Sequence, residues 1–253
     1  MTKDVDWNTV WITGASTGIG YELARLLDDK VTHLAVSSRS KDKLDIQVNQ
    51  SRNTTAYPLD VTNAEAVATG IKSIEENAGA IDLAVLNAGT WALIDAKDIN
   101  LESMRSGVEV NYMGVVNALN VLIPSMIERG SGHIAIVASV AGYRGLPRSI
   151  AYGPTKAALI NLAETLRLEL EPHGITVSVI NPGFVDTPMT KDNPFPMPGM
   201  ISAKEAAEAI YDGLKREKFE IAFPRAFVFA MKLLKRMPTF LYFWVINKVV
   251  MRS

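Results

Sequence analysis

The stretch TVWITGASTGIGYELARLL, Thr9–Leu27, opens with β-branched and aromatic residues, passes through three glycines and closes in an apolar period of three to four. Such a change of period reads as strand, turn, helix. Gly14, Gly18 and Gly20 are spaced GxxxGxG. Glycine lets the main chain turn sharply and lets an anion approach N–H groups at a helix N-terminus, where the dipole favours negative charge. Directly after a strand and before an amphipathic helix, the triplet predicts a turn that holds a diphosphate.

The same unit recurs along the chain. Strands are predicted at 9–13, 33–38, 54–60, 81–87, 133–139, 175–181 and 219–223, and helices at 19–29, 40–50, 63–77, 98–129, 152–171 and 203–217. The strands are almost continuously apolar, as strands buried on both faces are. This alternation predicts an α/β fold, a doubly wound parallel sheet of about seven strands with helices on both faces, in a single domain. Ligands of such sheets lie outside the carboxyl ends of the strands. One irregular segment, DTPMTKDNPFPMPGM (186–200), carries Pro188, Pro194, Pro196 and Pro198 and cannot form a regular helix. A loop of that length predicts a substrate loop, and with the helix after it a lid region over 186–217.

The chain has 253 residues and no cysteine, which excludes disulfides, thiolate metal sites and a cysteine nucleophile. The opening MTKDVDW lacks the basic and apolar regions of a secretory leader, so a cytoplasmic location is expected. Six of the 26 basic side chains follow Glu220, after which no acidic residue occurs; the part before holds 20 basic against 27 acidic side chains. No basic stripe with interleaved aromatics is present, so nucleic acid is not an expected partner.

These features resemble the short-chain dehydrogenase/reductase family over Thr9 to about Phe223. The resemblance implies a Rossmann-like nucleotide-binding domain, and it rests on motifs at the ends of successive strands. TGASTGIG (Thr13–Gly20) looks like the cofactor turn, implying cofactor contacts from Gly14, Ser16, Thr17, Gly18, Ile19 and Gly20. LDVT (Leu59–Thr62) is similar to the stretch whose aspartate, here Asp60, contacts adenine, with Val61 beside it. LNAG (Leu86–Gly89) looks like the family's second signature and places Asn87, Ala88 and Gly89 on the adenine side. NPGFVDT (Asn181–Thr187) matches the turn beside the nicotinamide, implying contacts from Pro182, Gly183, Val185 and Thr187, with Thr187 at the carboxamide position.

The end of the second strand reads AVSSRSKDK (Ala35–Lys43). A carboxylate here would bond ribose hydroxyls and repel a 2′-phosphate. By resemblance, Ser38 stands where users of NAD carry that acid, and Arg39 follows. A hydroxyl and a guanidinium suit a 2′-phosphate, so NADP(H) is favoured over NAD(H).

The stretch YGPTK puts Tyr152 and Lys156 four residues apart, on one face of a helix. A phenol with an ordinary pKa of about 10 exchanges protons poorly near neutrality, and an adjacent ammonium is expected to lower that value. Pro154 lies between them and requires the helix to begin near Tyr152. The resemblance adds Ser139 as the hydroxyl that binds the carbonyl oxygen, and Asn111, in EVNYMG, as a relay near the lysine. The expected catalytic set is thus Ser139, Tyr152, Lys156 and Asn111.

His33, His133 and His173 show no metal-ligand spacing and read as structural, so no metal is expected. Asp82 and Glu102 lack a paired acid/base context, and Trp11 and Trp91 read as packing residues. The domain is expected to span 1–224, followed by a tail over 225–253. Arg225, Lys232, Lys235 and Arg236 fall near one helical stripe of that tail. After Pro238 its longest apolar run, Phe240–Ile246, has seven residues, short of the about 20 needed for a bilayer span. Three roles fit it: peripheral membrane contact, a lid over the substrate, or an oligomer interface. The sequence thus predicts an NADP(H)-dependent oxidoreductase interconverting a carbonyl and an alcohol on an apolar, lipid-like or long-chain substrate. A 3-oxoacyl carrier-protein reductase and a non-catalytic nucleotide sensor stay open as other readings. The resemblance implies a homodimer or homotetramer built on the helices at 98–129 and 152–171.

Overall fold

A computed structural model describes residues 7–191 and 193–249. The strands are β1 (Thr9–Thr13), β2 (His33–Ser37), β3 (Thr54–Ala56), β4 (Leu83–Leu86), β5 (Gly132–Val137), β6 (Ile175–Pro182), β7 (Val185–Asp186), β8 (Ile201–Ser202) and β9 (Glu220–Phe223). The α-helices are α1 (Gly18–Leu27), α2 (Lys41–Val48), α3 (Ala64–Ala78), α4 (Leu101–Val108), α5 (Gly114–Arg129), α6 (Tyr152–Leu170), α7 (Ala203–Lys215), α8 (Arg225–Arg236) and α9 (Thr239–Val249). Seven strands form one parallel sheet in the order β3-β2-β1-β4-β5-β6-β9.

The near-continuous apolar runs acquire their meaning from this arrangement. Successive strand residues face opposite sides, and both sides are covered. Trp11, Ala84, Leu86, Ile134 and Val177 pack under α3, α5 and α6. Their neighbours Val10, Ile12, Val85 and Ala135 pack under α1, α2 and α7.

The chain runs outward from β1 through β2 to β3, then returns to place β4 on the other flank of β1. That reversal opens a crevice between the carboxyl ends of β1 and β4. The register Ile12↔Val85 brings Asn87 beside the first glycine. Its backbone N–H donates to Thr13 Oγ1 at 3.0 Å, and its Nδ2 donates to Thr13 O at 3.0 Å and Gly14 O at 3.1 Å.

All seven expected strands are present in the sheet, and the helix expected at 98–129 begins at Leu101. That helical run of 29 residues is interrupted by one π-helical segment, Glu109–Met113. The wider turn rotates Asn111 inward, where it is fully buried. Helix α6 begins at Tyr152, so Pro154 sits in the first turn, where no intrahelical N–H bond is lost. The irregular loop is closed at its base by the short β7–β8 ladder, Val185↔Ile201 and Asp186↔Ser202. Helix α8 buries Val228 and Met231 against the core, and α9 buries Tyr242 and Ile246.

Candidate active site

The turn after β1 needs its glycines. Gly14 and Gly18 have φ of +67° and +60°, where side chains are strained. A Cβ at Gly14 would lie 2.8 Å from Ala88 Cα, and one at Gly18 3.0 Å from Thr187 Cγ2. Helix α1 starts at Gly18 with no side-chain cap from Thr17, leaving first-turn N–H donors available to a ligand anion. Gly20 is different. Its added Cβ would meet Gly14 O at 2.5 Å and Asn87 Nδ2 at 2.6 Å, so its lack of a side chain lets α1 start close against the turn. Gly20, expected to contact the cofactor, is not among the residues that line the cleft, and its close neighbours are those of the turn itself.

A cleft of about 400 Å³ runs along the carboxyl ends of the strands. Gly14, Ser16, Thr17, Gly18 and Ile19 line its middle, and Ser38, Arg39, Asp60 and Val61 line one end. Asn87, Ala88 and Gly89 cross its floor; Ser139, Tyr152, Lys156, Pro182, Gly183, Val185 and Thr187 close the other end. The glycine cradle, the uncapped helix start and the polar far end fit an extended dinucleotide.

The structure adds residues that the motif reading passed over. Lys43 lines the cleft with Arg39, and no carboxylate side chain stands between them in sequence except Asp42, which does not line it. The signal was present as two cations within five residues at the end of β2 and the start of α2. Ser38 Oγ accepts from Ser40 N–H at 3.2 Å, which holds this corner closed. Thr190 also lines the cleft; its hydroxyl donates to Val185 O at 2.6 Å and accepts from Thr187 N–H at 3.1 Å, which fixes the loop start.

At the reacting end, Ser139 lies just past β5 and caps a 3₁₀ turn, its Oγ accepting from Ala141 N–H at 3.1 Å. Lys156 is buried and donates from Nζ to Val137 O at 2.8 Å, while the same Nζ lies 5.5 Å from the Tyr152 ring centroid. Burial pushes the Tyr152 phenol up to about 12, opposed by a hydrogen bond with the Ser139 hydroxyl. Burial likewise pushes the Lys156 amine down to about 8. The lysine was expected to lower the tyrosine's pKa; in this arrangement desolvation of both groups dominates, because neither charged form is well solvated.

Asn111 does not line this cleft. It lies behind Tyr152, on a second cavity of about 240 Å³. Its Oδ1 accepts from Thr90 N–H at 2.7 Å, and its Nδ2 donates to Thr90 O at 3.0 Å and Thr155 Oγ1 at 3.1 Å. Gly89 separates it from the lysine: a Cβ there would be 3.3 Å from Asn111 Oδ1 and 3.6 Å from Lys156 Nζ.

Trp11 is buried packing, as expected, with Nε1 donating to Ser37 Oγ at 2.9 Å. Trp91 is not simple packing. Its ring meets Tyr152 edge-on at 5.1 Å and 90°, and its Nε1 donates to Asn193 Oδ1 at 3.1 Å, tying the irregular loop to the tyrosine. His133 is buried with Nε2 2.9 Å from Ser178 Oγ, a structural position. Among the described residues no group of His, Asp and Glu side chains could hold a metal.

The family profile for short chain dehydrogenases matches residues 8–195. An uncharacterized oxidoreductase of Myxococcus xanthus is 34% identical over 243 residues, covering 94% of this chain and 96% of the relative. An alcohol dehydrogenase of Thermococcus sibiricus, solved with 5-hydroxy-NADP, is 29% identical with a TM-score of 0.77, covering 85% of this chain and 95% of that one. A Burkholderia phymatum short chain dehydrogenase/reductase, solved with NAD, shares the fold at 23% identity and a TM-score of 0.83, covering 93% and 98%. With the matched profile spanning most of the chain and the glycine turn and the Ser139–Tyr152–Lys156 cluster on one cleft, this protein is an oxidoreductase of the short-chain dehydrogenase family.

Proposed function

We propose that this chain is an NADP(H)-dependent oxidoreductase interconverting a ketone or aldehyde and an alcohol on an apolar substrate. The catalytic unit spans 1–224, with 186–217 as substrate loop and lid. The observation that carries the reading is that Ser139, Tyr152 and Lys156 line the same cleft as the glycine turn. The dinucleotide, when bound, supplies or takes up the hydride. Tyr152 gives its phenolic proton to the carbonyl oxygen in reduction and takes it back in oxidation. Ser139 holds that oxygen as charge builds on it, and Lys156 stabilises the phenolate left behind. Asn111 keeps Thr90 and Thr155 in place behind the lysine and serves as the relay toward solvent.

Arg39 and Lys43 support a 2′-phosphate, since two cations and the Ser38 hydroxyl line that end of the cleft. The Thermococcus sibiricus structure was solved with an NADP derivative and the Burkholderia phymatum structure with NAD, so the choice rests on the lining of this cleft. Apolar substrate character is supported at the other end. The Phe184 ring lies 6.1 Å from Phe195 of the loop and 5.3 Å from Phe227 of α8, centroid to centroid; Met189 of the loop lines the cleft, and Trp91 packs edge-on against Tyr152. Exposed Val108, Ile127 and Leu168 on α4, α5 and α6 support a dimer or tetramer packed through those helices.

Turnover of a carbonyl panel with NADPH and NADH in parallel tests the reading. Tyr152→Phe is expected to bind NADPH as tightly as the unaltered chain while kcat falls by about 10²–10⁴. Undiminished turnover in that variant would remove Tyr152 from the reaction, and a preference for NADH would remove the role given to Arg39 and Lys43.

A further inference from the structure

The two terminal helices end in a surface that the fold leaves uncovered. Phe229 on α8 is 72% exposed, and Phe240 and Trp244 on α9 are 77% and 58% exposed. Their inward neighbours Met231, Tyr242 and Ile246 are buried, so the helices are docked and their outer faces are apolar by composition rather than by fraying. Cations flank this surface. Arg225 and Arg236 stand exposed on α8, and Lys248 lies 4.9 Å over the Trp244 ring. No acidic residue follows Glu220 in the chain.

We propose that the outer faces of α8 and α9 form a docking surface for an anionic lipid bilayer. A protein partner would be expected to meet such cations with carboxylates in a shaped site; aromatic rings beside a one-signed charge fringe match an interface of acyl chains under phosphate headgroups. The 11 described residues of α9 fall short of the about 20 that a bilayer span needs, which suits a helix lying in the bilayer surface. The same helices adjoin the cleft. A Cβ at Gly183, in the turn lining it, would lie 2.8 Å from Phe227 of α8. That contact is made by the inward side of α8, so the proposal stands on the outer faces alone and is independent of the substrate reading.

The test is co-sedimentation of the full chain with vesicles of phosphatidylcholine alone and of phosphatidylcholine mixed with phosphatidylglycerol, without substrate or cofactor. The chain is expected to partition onto the mixed vesicles and to be released by salt. Arg236→Gln with Lys248→Gln is expected to weaken partitioning about fivefold per cation removed. Phe240→Ser with Trp244→Ser is expected to abolish it, with an unchanged thermal melt because both side chains are exposed. Absence of vesicle binding, equal retention by neutral and anionic vesicles, or full binding by the Phe240/Trp244 variant overturns the proposal. So does a dimer in sedimentation velocity that this variant disperses while vesicles stay bare, since the face would then belong to a second copy. Vesicle binding is read independently of turnover, so a chain inactive on every carbonyl leaves the result standing.

Discussion

Lys156 works in a site that holds its amine near a pKa of about 8 and the Tyr152 phenol near about 12. At neutral pH the amine is charged and the phenol is not. Carbonyl reduction needs that pair of states, because the phenol must have a proton to give and the phenolate needs a cation beside it. Raising the pH through about 8 removes the cation and leaves the phenol protonated but costly to ionise. Carbonyl reduction is therefore expected to be level below that value and to decline above it. In Lys156→Met the low residual rate is expected to lose this inflection. Initial rates against pH check the point, and a rate that climbs through pH 8 in the unaltered chain would contradict it.

Arg144 joins two elements that share no sequence neighbourhood. It lies in the segment between Ser139 and Tyr152, and its Nη1 donates to Leu234 O at 2.7 Å and Met237 O at 2.6 Å. Those carbonyls belong to the end of α8, where the helix dipole favours a cation, and Leu234 O accepts from the Met237 N–H as well. The guanidinium also stacks on Tyr242 of α9 at 3.9 Å. On the other side of α8, Lys232 is paired with Glu220 of β9. Arg144→Ala is expected to reduce the local stability of 225–249 by about 2 kcal/mol. Hydrogen exchange resolves this: amides of α8 and α9 should exchange faster while those of the central strands keep their protection. Unchanged exchange in the tail would show that apolar docking alone holds it.

Across the whole molecule, a buried histidine in the sheet is one source of acid sensitivity. His133 on β5 is paired with Leu83 and Thr176 in adjoining strands, and burial, with the Arg167 charge, pushes its pKa down to about 4. Between about 6.5 and about 4 the unfolded chain binds a proton that the folded chain refuses, so stability falls as pH falls through that window. The loss approaches about 3 kcal/mol and is complete below the lower value. Urea unfolding at pH 7 and pH 4 is expected to show it, with a smaller drop in His133→Gln; equal drops in both would assign the effect to carboxylates instead.

The strand–helix alternation, the site of the first glycine turn and the spacing of Tyr152 and Lys156 follow from the order of amino acids alone. These depend on period and on neighbours within one or two turns, which the backbone geometry dictates locally. Pro154 was legible too, since only a helix start at Tyr152 could accept it. Which residues meet across the chain depends on the assembled fold. Trp91 and Asn193, 102 residues apart, are joined by the folding of the irregular loop over α6, and no local pattern encodes that contact. The space at Gly20 is also tertiary in part: a Cβ there would meet Asn87 Nδ2 at 2.6 Å, and only the pairing of β1 with β4 brings that side chain beside the turn. The direction of the Tyr152 shift was likewise beyond the spacing: charge proximity argues downward, but desolvation is a property of everything packed around the site, and only the assembled fold sets it.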